Sequence, residues 1–146
     1  MPDRADLIVA ADGSNSVLRD GLGLMSMRKY LVDGSTRLLI AKTPEERLSA
    51  DGATTVEYWS GSRRVLYTPC SETDVYIALT MLDNDALAKA TPVRQDAWKG
   101  WFPHLAPLIE RIGDEGRYDR FDLIKLSRWS AGRVAVIGDA AHALPP

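Results

Sequence analysis

The chain has 146 residues, 45% of them apolar and 26% charged, and its 18 basic and 20 acidic side chains leave a formal net charge of −2. That composition is globular and excludes a disordered tail, a collagen-like repeat or a mucin-like stalk. The charge balance argues against an electrostatic nucleic-acid binder, and no apolar run approaches the roughly 18 residues of a membrane helix. The start, Met1-Pro2-Asp3-Arg4-Ala5-Asp6, has no apolar signal-peptide segment. Cys70 is the single cysteine and His104 and His142 are the two histidines. An intrachain disulfide and a His-based metal site are therefore not expected, and a reducing cytoplasmic setting is the default.

In chain order, residues 5–11 form an apolar run stopped by Asp12-Gly13, which reads as a buried strand and a turn. Ser14-Asn15-Ser16 then offers capping oxygens to a short helix beginning at Val17-Leu18-Arg19. Residues 27–42 and 53–82 read as β structure. Thr54 to Trp59 is rich in Thr, Val, Tyr and Trp, Ser60-Gly61-Ser62 is a turn, and Arg63 to Thr68 runs back as the second arm of a hairpin. After a turn at Ser71–Asp74 comes a strand, 74–82, with Val75, Ile77, Leu79 and Met81 on one face. Tyr76, Ala78 and Thr80 lie on the other, which is too apolar for free solvation and suits a second layer or a cavity.

Asn84 or Asp85 can cap Ala86 to Lys89, and Val93 to Phe102 reads as a helix ended by Pro103. Leu105, Leu108, Ile109 and Ile112 have the spacing of a further helix ending at Gly113. Arg117 to Leu126 returns to strand. Arg133 to Ile137 is a short apolar strand ending at Gly138-Asp139, where a helix opens. A fully apolar first strand wants parallel neighbours on both sides, and the last helix has hardly begun at Pro146. The sequence therefore reads as a piece of a longer protein.

Chemistry is concentrated at the two ends. Near the C-terminus a buried strand delivers Gly138 and Asp139 to its carboxyl end, where open α/β sheets bind ligands. Gly138 has no Cβ and allows close approach, Asp139 can accept from sugar-like hydroxyls, and Ala140 is small; equally, Asp139 can simply cap the helix. Near the N-terminus Asp12-Gly13 comes directly after a strand, and a plain turn is the simpler reading.

The segment Gly132–Pro146 resembles the "GD" motif of class A flavoprotein monooxygenases, the para-hydroxybenzoate and salicylate hydroxylase group. Its pattern, G-R-V-x-x-x-G-D-A-A-H-x-x-x-P, is matched at every fixed position. Asp12, Gly13, Ser16 and Arg19 likewise fall on that family's "DG" motif, D-G-x-x-S-x-x-R. The resemblance implies that Asp139 binds the ribityl chain of FAD and that Pro146 lies by the isoalloxazine ring; the small Gly138 and Ala140 are then the cofactor-binding candidates beside Asp139. It implies a largely indirect role for Asp12, Gly13 and Arg19 near the FAD pyrophosphate and NAD(P)H. The implied fold is mixed α+β and α/β: a partial Rossmann-like FAD-binding domain at 1–26 and 128–146, and a mostly antiparallel substrate-binding domain with helices at 27–127. The family's G-x-G-x-x-G is absent, since Gly21-Leu22-Gly23-Leu24 lacks the third glycine and the preceding strand. This polypeptide alone is accordingly expected to bind FAD weakly or not at all.

The implied parent is an FAD-dependent monooxygenase that uses NAD(P)H and O₂ to hydroxylate a small aromatic substrate; no catalytic residue is assigned. Alternatives are a related halogenase or reductase, or a non-catalytic α/β binding module. His142 reads as structural, His104 as a surface or helix-start residue, Cys70 as a small apolar filler, and Trp98 and Trp101 as helix–sheet packing. Arg63 and Arg64 read as solvated charges, although one could face the flavin or an anionic aromatic acid. A hydroxyl of Tyr58, Tyr67 or Tyr76 could line a substrate cavity. Exposed sheet edges would favour self-association.

Overall fold

The structure, a computed structural model, describes residues 4–145, and the chain divides into two units. One takes the residues up to Leu31 together with those from Phe121 onward, and the other runs from Val32 to Arg120.

In the first unit β1 (Ile8–Ala10) pairs in parallel with β8 (Val134–Val136), which pairs antiparallel with β7 (Ser130–Ala131). Between β1 and the next strand lies α1 (Val17–Gly21), started by Ser16, whose hydroxyl accepts from the Arg19 amide at 3.1 Å. A short α5 (Asp139–His142) comes after β8. The apolar run at the N-terminus does form a strand, but not a buried one. Leu7, Ile8 and Val9 are 60%, 44% and 51% exposed, and only Ala10 is enclosed. The reason is position: β1 is the edge of the order β1-β8-β7, so among the described residues it has one neighbour, whereas a strand of this composition suits a place inside a parallel sheet.

The second sheet has the order β3-β4-β5-β2-β6. β2 (Met25–Ala41) and β6 (Arg117–Leu126) carry the chain out of the first unit and back into it. β3 (Val56–Ser60) and β4 (Arg63–Pro69) form the expected hairpin, in register Val56↔Tyr67 to Ser60↔Arg63. Its turn needs Gly61: φ is +54°, and a Cβ there would lie 2.5 Å from the Trp101 ring. β5 (Asp74–Leu82) pairs antiparallel with both β4 and β2. Its predicted inward face holds, with Val75, Ile77, Leu79 and Met81 fully buried.

Helices pack on that face, and all are shorter than their spacing suggests. α3 is Gln95–Lys99 and α4 is Ala106–Ile109, joined through a 3₁₀ turn at Pro103–Leu105. Prolines 92, 103 and 107 each remove a backbone donor, so no long helix can run through them. No helix forms at Ala86–Lys89; Asp85 instead accepts from the Ala88 amide at 3.1 Å and closes a turn. A helix that the spacing does not announce, α2 (Pro44–Leu48), is opened by a capping box between Thr43 and Glu46. Trp98 sits at the centre of this core with no exposed surface, its indole N–H donating to the Ala88 carbonyl at 3.1 Å. No helix among the described residues is long and apolar enough to cross a membrane.

Three side-chain expectations need correction. Arg63 is not solvated: it is 5% exposed, ion-paired with Asp85 at 2.7 Å, hydrogen-bonded to the Ala97 carbonyl and set against the Trp98 and Trp101 rings. Its carbon stem and flat guanidinium fill apolar space while Asp85 balances the charge. Trp101 itself is 45% exposed, covering Arg63 from the solvent side. Cys70 fills no core; it is exposed, in the turn after β4, because the strand's inward-facing row ends at Tyr67.

Candidate flavin-binding and substrate-facing sites

β1 and β8 run parallel and in register, Ile8↔Val134 through Ala10↔Val136. Their C-terminal turns must therefore emerge at the same edge, the carboxyl edge where α/β sheets bind ligands. From β1 this is Asp12-Gly13, and from β8 it is Gly138-Asp139. The Ile137 amide donates to the Ala10 carbonyl at 3.0 Å, which carries the pairing up to the motif itself.

Gly138 has φ +59° and ψ −148°, a conformation that side chains with a Cβ rarely adopt. This bend turns the chain from β8 into α5. It also leaves open space: a Cβ built on Gly138 would have no atom within 4 Å. Asp139 comes next with an exposed side chain, while Ala140 and Ala141 are buried behind it. The simpler alternative, that Asp139 is there as a helix cap, is not what the geometry shows: Gly138 occupies the capping position and no side chain caps α5.

The N-terminal motif is built differently. Asp12 Oδ2 accepts from the Val17 amide at 3.0 Å, and the Ser16 hydroxyl holds the Asp12 carboxyl below the ordinary aspartate range. Gly13 takes φ +83°, closing the turn. Arg19 has no exposed surface. Its Nε pairs with Asp20 at 2.7 Å, its Nη1 donates to the Ala140 carbonyl at 3.1 Å, and its Nη2 is buried without a hydrogen-bond partner. The Arg19 guanidinium accordingly holds the Asp20 carboxyl below its usual value. The structure thus brings the two motifs together across 121 positions of sequence, through the backbone of Ala140. Pro146, the last residue implied for flavin contact, lies outside the described residues. His142 is exposed beside the Trp129 ring, centroids 5.0 Å apart, a pairing with no sequence signal.

An exposed acceptor carboxylate beside a glycine with free space, backed by two buried alanines, suits a polyol chain whose hydroxyls donate. The residues present fit the ribityl portion of FAD. Among the described residues no cluster of His, Cys, Asp or Glu could hold a metal ion.

The second unit carries a polar row on the sheet face opposite its core. Arg64, Thr80 and Ser35 stand opposite one another on β4, β5 and β2, in the register Arg64↔Thr80 and Thr80↔Ser35. Arg64 Nη2 donates to Thr80 Oγ1 at 3.4 Å, Thr80 donates to Ser35 Oγ at 3.4 Å, and Ser35 donates to the Leu79 carbonyl at 3.2 Å. Arg64 is 13% exposed, pairs through Nη1 with Glu57 Oε1 at 3.6 Å, rests on the Trp59 ring at 5.2 Å, and has a buried Nε with no hydrogen-bond partner. Of the two arginines after the hairpin turn, Arg63 is therefore a core residue and Arg64 lies on the opposite face, its charge met by Glu57. Period-2 alternation puts them on opposite faces, and that signal is present in the sequence. Tyr67 points the other way, into the core side, where burial pushes its hydroxyl above the ordinary tyrosine value.

The family model described as FAD binding domain matches residues 4–146. The chain belongs to the FAD-binding domain family. It is 44% identical over 146 residues to a 2-heptyl-3-hydroxy-4(1H)-quinolone synthase of Mycobacteroides abscessus, covering 98% of this chain and 39% of that protein. An FAD-dependent urate hydroxylase of Mycolicibacterium vanbaalenii is 30% identical over 149 residues, covering 97% of this chain and 37% of that one. Among solved structures, the tetrameric form of 2-methyl-3-hydroxypyridine-5-carboxylic acid oxygenase superposes with a TM-score of 0.83 at 34% identity, over 97% of this chain and 40% of that one. The chain thus spans about two fifths of the length of these relatives. Membership of the family bears out the resemblance drawn from the two motifs, with its mixed fold and its flavin cofactor.

Proposed function

We propose that this chain is the part of an FAD-dependent monooxygenase that carries the ribityl-binding edge and the substrate-facing sheet, in a protein that hydroxylates a small aromatic ring with NAD(P)H and O₂. The first unit is the partial FAD-binding domain and the second the substrate-binding domain. The observation that carries this reading is Asp139: exposed, next to a glycine at positive φ, and tied through Ala140 to the Arg19 of the other motif.

In this reading Asp139 accepts hydrogen bonds from the ribityl hydroxyls, and Gly138 and Ala140 let the chain lie close. Asp12, Gly13 and Arg19 act through shape: the turn and the buried guanidinium fix where the Ala140 peptide stands. When bound, FAD supplies the redox chemistry that links NAD(P)H and O₂ to the substrate. The protein's task is to bind and orient. On the sheet, the partly exposed Arg64 guanidinium, set beside Glu57, Thr80 and Ser35, is the cation offered to an anionic or carbonyl oxygen on the substrate. The relatives' names carry quinolone, urate and hydroxypyridine rings. This supports an oxygen-bearing nitrogen heteroaromatic as the substrate class here. The lone cysteine supports a cytoplasmic setting.

The test is made on the full-length protein. It should purify with a bound flavin, and oxidation of NADH or NADPH should rise when hydroxylated quinolines, pyridines or purines are added. A full-length protein that neither holds FAD nor responds to any such ring would refute the proposal.

A further inference from the structure

The turn holding Asp12 and Gly13 is gripped from a second side, by a residue that lies in neither motif. Arg28 stands on β2, its side chain about one-fifth exposed. Its Nε donates to Asp122 Oδ2 at 2.8 Å and its Nη2 lies 2.7 Å from the same oxygen. The same Nη2 donates to Asn15 Oδ1 at 2.8 Å, and the guanidinium lies over the Tyr30 ring, 5.0 Å from its centroid. Asp122, on β6, is buried, and a buried carboxylate needs a cation. One guanidinium thus joins the strand by which the chain leaves this unit, the strand by which it returns, and the turn between β1 and α1.

The bonds inside the turn, Asp12 to the Val17 amide and Ser16 to the Arg19 amide, shape it but do not anchor it. Its anchors are Arg19 to Ala140 on one flank and Arg28 to Asn15 on the other. We propose that Arg28 is a positioning residue: it clamps Asn15 to the sheet and so keeps Asp12, Gly13 and, through Arg19, the Ala140 peptide in the arrangement that receives FAD. The inference rests on the flavin-binding role proposed for Asp139. The forked geometry matters, because a lysine can neutralise Asp122 but cannot also reach Asn15 with a second rigid donor.

The experiment uses the full-length protein and reads two quantities: amide hydrogen exchange across residues 13–18, and the dissociation constant for FAD. In Asn15→Ala and in Arg28→Met, exchange in the turn is expected to quicken about tenfold, the scale of one charge-assisted hydrogen bond, while the β8 amides are unchanged. FAD binding should weaken about fivefold in each, and the double variant should be no worse than Arg28→Met alone. Arg28→Lys should keep the melting temperature yet lose the turn's protection. Unchanged exchange in Asn15→Ala, multiplying effects in the double variant, or full protection in Arg28→Lys would each overturn the proposal and leave Arg28 as a counter-ion for Asp122. Asn15 is exposed, so its variant folds even where Arg28→Met does not. A wild-type protein without flavin would sink the flavin-binding role, while the exchange data would still test the clamp.

Discussion

The two units bury apolar surface in unlike ways. Among the described residues, the core of the second joins large side chains from three strands and the helices: Leu38, Val65, Ile77, Leu79, Trp98, Phe102 and Ile109 among others. The core of the first is small, and of Ala10, Leu24, Val136, Ala140 and Ala141 three are alanines. Its apolar side chains are instead exposed at Leu7, Val9, Val17, Ile137 and Leu144. Packing specifies the second unit. The first is specified by hydrogen bonds that fix a backbone: strand pairing, the caps of α1, and one buried arginine. In the proposed reading, the small residues of the first unit leave room for a ligand beside Gly138 and Asp139, and the large ones of the second make a stable platform.

The sharpest way to break this contrast is at Trp98. Trp98→Ala should cost about 3–5 kcal/mol of stability, as large-to-small changes at a fully buried aromatic do, seen as a lower urea midpoint. The loss should appear in the second unit. A variant with an unchanged midpoint would mean that the Trp98 core does not hold the platform together.

On the face of the same sheet opposite that core, Arg64→Gln should cost about 1 kcal/mol of stability, through the lost Glu57 pair and Trp59 contact. The KM for an acidic substrate should rise about tenfold or more in the full-length enzyme, the loss of one charge-assisted contact. An equal change for neutral and acidic substrates would show that Arg64 does not read charge.

In the first unit the effect to look for is backbone strain. Gly138→Ala meets no neighbouring atom but must hold a residue with a Cβ at φ +59° and ψ −148°, costing about 1–3 kcal/mol. The measurement is thermal unfolding of the full-length protein, and no loss would mean that this bend relaxes freely.

The smallest effect concerns pH. Burial tends to raise the Glu46 carboxyl, but the bidentate Arg111 pair, at 2.8 and 2.9 Å, and the Thr43 amide outweigh it, so Glu46 lies below the ordinary glutamate value. A carboxylate that ionises more readily in the folded state stabilises fully above the unfolded value near 4.3, and that contribution fades as pH falls through the folded value. Glu46→Gln should remove on the order of 1 kcal/mol at neutral pH and flatten the stability curve in the acid range. A parallel shift at all pH values would refute the pairing.

Much of the molecule is legible in the sequence, and for definite reasons. The strand 74–82 announces its buried face by alternation, and Gly138-Asp139 and Asp12-Gly13 announce turns after apolar runs. The hairpin is legible from Ser60-Gly61-Ser62. Which residues meet over distance is not legible. Nothing near Arg63 in sequence says that Asp85 and two tryptophans will enclose it, and nothing near Arg19 points to Ala140. Apolar spacing overstates the helices at 93–112 because it ignores the donors that prolines remove. The α2 helix has a legible start, Thr43 with Glu46 three residues on, hidden only by the lack of an apolar stripe after it.

The proposed function turns on Asp139 holding the polyol chain, and an FAD titration of the full-length apoprotein against its Asp139→Ala variant reads that contact. Binding should be at least about tenfold weaker in the variant with no change in melting temperature, since the side chain is exposed. Equal dissociation constants would contradict the assignment of Asp139 to the ribityl chain.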